Sequence, residues 1–240
     1  IRSVVQTQDG YIWVGTFSGL ARFDGVSFRL FDTVQNPELR DGEIRALFED
    51  SRGTLWLGHQ NGQLTTYAAG RFTPRSPPAG WPNLEVDSLV EDRTGRVWVI
   101  NRGGWLARFN DGRAELLVKP QTDHLVNHLH IDASGQLWNH RDFQALPLGP
   151  DGTPNEVASR TIAGRGSMVV CASRAGGIWV ADTGLRRWHE GQWVEDRGPL
   201  PWADPGLTAL METTAGDVWV GTYTKGLYVA TRSGGRHEVG

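Results

Sequence analysis

Four histidines crowd into one stretch of the chain, His124, His128, His130 and His140, and their type and spacing come nearest to a metal site. On an extended strand His128 and His130 point to one face, which His140 on a paired strand could approach. No carboxylate ligand is placed beside them, and neither an HExxH helix nor Cys-rich spacing accompanies the four. The reading is therefore no metal site. Carboxylate pairs recur at Glu49-Asp50 and Glu91-Asp92, residue types suited to acid–base work. Each pair stands just ahead of a Gly-bearing turn, so the expected role is capping of backbone N–H groups. Cys171, the single cysteine, lies in the apolar run SMVVCAS, where a buried structural thiol is the default and an internal disulfide is excluded. There is no GxSxG, no P-loop and no GxGxxG after a strand, so no catalytic residue and no cofactor are assigned.

The elements that must position any site are read from self-similarity. Six segments share one pattern, anchored on Trp13, Trp56, Trp98, Trp138, Trp179 and Trp219 at gaps of 43, 42, 40, 41 and 40 residues. A Gly stands three residues before each of them, at Gly10, Gly53, Gly95, Gly135, Gly176 and Gly216. Upstream runs such as IRSVVQT, IRALFED and LTALMET are short, β-branched or alternating, and read as strands. The Gly then supplies positive φ for a hairpin, as Asp9-Gly10 would in a two-residue turn. A second Gly-bearing turn, a strand with an aromatic end and a fourth short strand follow in most units. Four strands per repeat of this length predict an all-β fold, a β-propeller of four-stranded blades with about six blades visible. The expected organisation is a single propeller domain, residues 1–240, with repeat units near 1–40, 41–82, 83–124, 125–164, 165–204 and 205–240. Each tryptophan is expected to wedge against the neighbouring blade.

Composition agrees. The chain of 240 residues is 39% hydrophobic with a formal net charge of -3, enough apolar surface for a core and no general pull toward nucleic acid. No run approaches the roughly 18 apolar residues that span a bilayer, and the N-terminus lacks a signal-peptide layout.

The strings Asp9-Gly10-Tyr11-Ile12-Trp13-Val14-Gly15-Thr16 and Gly19-Leu20-Ala21-Arg22-Phe23-Asp24-Gly25 resemble the two-component regulator propeller repeat. The second unit and the last follow it well, and the fourth keeps little beyond Ser134-Gly135-Gln136-Leu137-Trp138. The resemblance implies the extracytoplasmic, periplasmic sensor region of a bacterial histidine kinase, hybrid two-component system or related membrane-anchored regulator. It implies a small-molecule or glycan ligand, a homodimer formed through the full-length sensor, no nucleic-acid partner, and contact with a membrane only through segments outside this chain. The chain opens directly in a first strand and its tail RSGGRHEVG reads as too short for a fourth strand, so a piece of a longer protein is expected. A closed six-bladed ring fits, as does a seven-bladed ring lacking part of itself.

Propellers bind ligands at the mouth of the central channel, between the loops after second strands and those entering first strands. The first set supplies Phe17, His59, Gln60, Asn101, Arg102, His140, Arg141, Asp182, Tyr223 and Lys225. The second supplies Arg40, Asp41, Glu43, Trp81, Asn83, His124 and Trp202. Aromatic faces beside Arg, Asn and His suit a sugar or another polar organic ligand. The alternatives are a propeller enzyme of the lyase or glycan-cleaving type and a protein-interaction scaffold. A virginiamycin lyase type of propeller would need a His and metal constellation that the sequence does not supply.

Overall fold

The computed structural model describes residues 1–119, 127–141, 143–155, 162–163, 168–202 and 206–239. His124 and the repeat boundaries expected at 124/125, 164/165 and 204/205 lie outside them. The chain divides into two compact units, Ile1–Leu129 and His130–Gly240. The first holds β1 (Ser3–Gln6), β2 (Ile12–Gly15), β3 (Leu20–Phe23) and β4 (Phe28–Phe31), then β5 (Ile44–Glu49), β6 (Leu55–His59), β7 (Leu64–Ala68) and β8 (Arg71–Arg75). Its third sheet is β9 (Val86–Glu91), β10 (Val97–Asn101), β11 (Leu106–Asn110) and β12 (Arg113–Val118). The boundary runs through β13 (Asn127–Ile131), which opens the sheet of β14 (Leu137–Arg141), β15 (Gln144–Leu148) and β16 (Ile162–Ala163). The second unit continues with β17 (Val169–Ala172), β18 (Ile178–Ala181), β19 (Gly184–His189) and β20 (Gln192–Pro199). It ends with β21 (Leu207–Glu212), β22 (Val218–Thr222), β23 (Leu227–Ala230) and β24 (Arg236–Val239).

Every sheet has four strands in sequence order, joined by antiparallel neighbours, which is the six-bladed propeller the repeat predicts. The tail corrects the sequence reading. Arg236–Val239 pairs with β23 from Leu227↔Val239 to Ala230↔Arg236, so RSGGRHEVG does complete a fourth strand.

The six hairpin glycines all have positive φ, between 75° and 91°. Their turns are one residue type but not the two-residue form expected at Asp9-Gly10. Gly10 donates its N–H to Thr7 O at 2.8 Å while Thr7 N–H bonds Tyr11 O, so a turn over Thr7–Gly10 precedes the Gly kink. The same bond recurs from Gly53 to Asp50, Gly95 to Asp92 and Gly135 to Asp132. Two residues past the tryptophan, Gly58 answers a different need: a Cβ there would stand 2.5 Å from Val86 of the next blade.

The paired carboxylates divide their labour. Asp50 and Asp92 accept N–H groups of their own turn, from Arg52 and Thr54 and from Thr94 and Arg96. The preceding glutamates reach back one blade: Glu49 accepts Gln8 N–H at 2.8 Å and Glu91 accepts Ser51 N–H at 2.7 Å. In the second unit Glu212 does the same for Arg174 N–H at 2.7 Å. Aromatic wedges supply the apolar half of that contact. Trp13 meets Tyr67 of the next blade at 5.0 Å between centroids, and Trp56 meets Phe109 at 5.3 Å. Trp179 shares a buried cluster with Val218, Val220 and Tyr228.

Candidate functional site

In the first unit the two expected loop sets do meet. Gln60 N–H bonds Glu43 O at 3.1 Å and Arg102 N–H bonds Glu85 O at 2.9 Å, so each second-strand loop is laced to the entry of its own blade. In the second unit Tyr223 N–H bonds Gly206 O at 2.8 Å in the same way.

What sequence reasoning missed is the charge ladder that these loops frame. Eleven residues before each repeat tryptophan stand Arg2, Arg45, Asp87, Asn127, Met168 and Thr208. Three of these fall at β-bulges of the first strand. The pairing skips from Ile44↔His59 to Ala46↔Gly58, from Val86↔Asn101 to Ser88↔Ile100, and from Leu207↔Thr222 to Ala209↔Gly221. A bulge re-aims a side chain that alternation would otherwise send elsewhere. Arg45 consequently lies between two blades' carboxylates, 3.6 Å from Glu43 and 3.3 Å from Glu85. Arg2 extends the row at 3.3 Å from Glu43, and its guanidinium covers the Phe17 ring at 3.9 Å. Glu85 also receives Gln60 Nε2 at 2.9 Å and the Arg102 guanidinium. The readable signal was the repeat position itself, polar in the first four units.

Asp87 is the unbalanced member. Burial pushes its carboxyl up to about 6, against the pull of the Arg102 and Arg45 guanidinium groups and with a further push from Glu85. Its Oδ2 is buried and has no hydrogen-bond partner among the described residues. Beside it, fully buried Asn127 sends Nδ2 to Arg102 O at 3.0 Å while its Oδ1 has no hydrogen-bond partner among the described residues. His128 follows on the same strand, and desolvation lowers its pKa.

The other expected site residues fall into distinct roles. His59 is fully buried, with Nδ1 3.1 Å from Asp41 O and Nε2 2.9 Å from Thr65 Oγ1. Burial drops its pKa to about 4, so the ring is neutral and both nitrogens are engaged inside the protein. Asn101 is also fully buried, accepting Trp105 N–H at 3.0 Å. Trp81 donates its indole N–H to Gly62 O at 3.0 Å and packs on the core of the second and third blades. Phe17 is exposed, with one face under the Arg2 guanidinium, and Arg102 is half-exposed and paired with Glu85. In the second unit Tyr223 and Lys225 are exposed, His140 is buried at the end of β14 beside half-buried Arg141, and Trp202 packs edge-on to Tyr228 at 5.9 Å. Asp182 is buried and pairs with Arg186 at 3.1 Å.

Among the described residues no group of three or more His, Cys, Asp or Glu converges as a metal set. Cys171 is buried, and burial pushes its thiol up to about 12, which keeps it protonated and unreactive. No helix of the described residues is long and apolar enough to cross a membrane.

Solved structures similar in fold include virginiamycin B lyase from Staphylococcus aureus, with TM-score 0.77 and 13% identity over 98% of this chain and 82% of that one. A streptogramin B lyase gives TM-score 0.76 and 16% identity over 99% of this chain and 81% of that one. An extracellular domain from B. thetaiotaomicron, assigned to a one component system, gives TM-score 0.72 and 16% identity over 99% of this chain. The present chain spans 35% of that domain. At such identities the likeness carries the fold alone. No curated protein sequence matches the chain. The family model described as two component regulator propeller matches residues 38–61, which run from the entry of the second blade through Trp56 and Gly58. With that match on the second repeat and six four-stranded sheets of the same plan, the chain is a six-bladed β-propeller in which one repeat is similar to the two component regulator propeller model.

Proposed function

We propose that this propeller is the ligand-sensing, non-catalytic part of an extracytoplasmic, membrane-anchored bacterial regulator of the two-component type, such as a histidine kinase. Its ligand is a small polar organic molecule or glycan, bound at the first-strand end of the first three blades. The observation that carries the reading is the bulged ladder. Arg2, Glu43, Arg45 and Glu85 form a row of fixed charges, with Arg102 half-exposed at its end and Asp87 holding an unpaired oxygen. Folding gains little from such a row, because desolvating the largely buried Arg45 and Glu85 offsets their attraction and an unpaired buried oxygen costs free energy. A hydroxyl-rich ligand would supply the missing partners, and the exposed Phe17 ring offers an apolar face beside them. Signalling then follows from rigid-body movement passed to a dimeric partner module outside this chain. A thermal-shift panel of defined oligosaccharides and small polar organics, with the products analysed, tests it. Stabilisation without turnover supports sensing, and turnover contradicts it.

A further inference from the structure

Two neighbouring blade interfaces in the first unit are built from equivalent positions and filled differently. Between the first and second blades, Trp13 is covered by Phe31 of β4, with centroids 5.7 Å apart, and Phe31 meets Phe72 of β8 at 5.5 Å. Strand register places Phe31 opposite Leu20 and Phe72 opposite Tyr67. Between the second and third blades the same register positions hold Arg75, opposite Leu64, and Ala114, opposite Phe109. Two aromatic rings are therefore absent beside Trp56, and a cleft of about 310 Å³ opens there.

The replacement changes the chemistry as well as the volume. The cleft is bounded by Trp56, Val97 and Phe109 on its apolar side and by Arg75 and Arg52, with the carboxylates of Asp50 and Asp111, on its polar side. Arg75 is half-buried, and its Nε donates to Thr66 Oγ1 at 3.0 Å. Among the described residues no carboxylate lies within ion-pair reach of its guanidinium. Arg52 is held only at long range, 3.8 Å from Asp50 and 3.9 Å from the highly exposed Asp111. Asp50 is already occupied by the Trp56 indole and by two turn N–H groups. A half-buried guanidinium without a counter-charge, beside the space of two missing rings, selects for a ring that carries its own anion.

We propose that this cleft is a second binding site, separate from the charge ladder, for a small aromatic carboxylate. The ring takes the space that Phe72 fills one interface earlier and Ala114 leaves open here, against Phe109, beside the Arg75 guanidinium that stands 5.8 Å from the Trp56 ring centre in the place of Phe31. The carboxylate pairs with Arg75, and Arg52 turns from Asp111 to join it. The volume is at the low end of ligand pockets, about 300 to 1,000 Å³, which suits one ring with a short acid chain. Calorimetric titration with phenylacetate tests this, using its neutral analogue 2-phenylethanol and three variants, Arg75→Gln, Arg75→Phe and Arg102→Gln, each first checked for wild-type unfolding behaviour. The expected result is saturable one-site binding of phenylacetate, weakened at least about tenfold in the neutral analogue and in Arg75→Gln. Binding is lost in Arg75→Phe, whose ring refills the gap, and unchanged in Arg102→Gln. Absence of saturable binding up to ~10 mM, or equal affinity in wild type and Arg75→Gln, overturns the proposal. Loss of binding in Arg102→Gln alone would move the site to the ladder and overturn it as well.

Discussion

Trp56 donates its indole N–H to Asp50 Oδ2 at 2.9 Å, closing a loop of six residues around the hairpin of its blade. Trp98 does the same to Asp92 at 2.8 Å and Trp138 to Asp132 at 3.1 Å, and Trp13 uses Thr7 Oγ1 at 3.2 Å. The fifth blade breaks the rule. Ser173 stands where the aspartate belongs, and the indole nitrogen of Trp179, 1% exposed, has no hydrogen-bond partner among the described residues.

Restoring the acceptor should restore the bond. Ser173→Asp is expected to raise stability by about 1 kcal/mol, the net worth of one hydrogen bond that also relieves an unsatisfied donor. A urea midpoint at or below that of the wild type would show that the aspartate cannot reach Trp179.

Trp98 of the third blade is 2% exposed, with the Arg108 guanidinium 5.2 Å from its ring centre. Trp98→Ala should cost about 3 to 5 kcal/mol, as large aromatic truncations in cores do. A midpoint shift within error would remove the tryptophan from its structural role.

Asp87 makes folding prefer acid. Its carboxyl rises from 3.8 to about 6 on folding, so between those values the folded chain holds a proton that the unfolded chain has released. Stability therefore falls as pH rises through that window and stays lower above it. Asp87→Asn should be more stable than wild type near neutral pH by about 1 to 2 kcal/mol, and equal to it below the window. Parallel unfolding curves for the two proteins across the window would contradict this.

His59 acts in the opposite sense. Its pKa falls from 6.5 to about 4 on folding, so the unfolded chain takes up a proton first and stability is lost as pH falls between them. His59→Gln should be less stable at neutral pH, through loss of the bonds to Asp41 and Thr65, and flatter in its pH dependence across that window. A variant as steep as wild type would assign the acid sensitivity elsewhere.

Much of the fold was legible because local chemistry repeats. Gly53 needs positive φ in its turn and Trp56 needs a blade to lie against, so both recur at fixed spacing and announce the strands between them. The tail was misread because Arg236–Val239 has little apolar character of its own; the β23 edge recruits it. The site was less legible. Glu85 meets Arg45 across 40 residues and Arg102 across 17, contacts that exist only after blades stack and strands bulge. His59, by contrast, looked available as a loop residue, yet a six-residue bond to Thr65 draws it inside. The exchange of Phe31 for Arg75 is invisible until strand register aligns them, because the loop before Leu64 is longer than the loop before Leu20.

The central claim is that the charge ladder of the first three blades receives a ligand and turns nothing over. The most direct measurement is calorimetric titration of wild type and Arg102→Gln with the best-stabilising oligosaccharide from the thermal-shift panel, followed by mass analysis of the recovered sugar. Wild type should bind saturably, Arg102→Gln should bind at least about tenfold more weakly, and the sugar should be recovered intact. Cleaved sugar, or binding that Arg102→Gln leaves untouched, would contradict it.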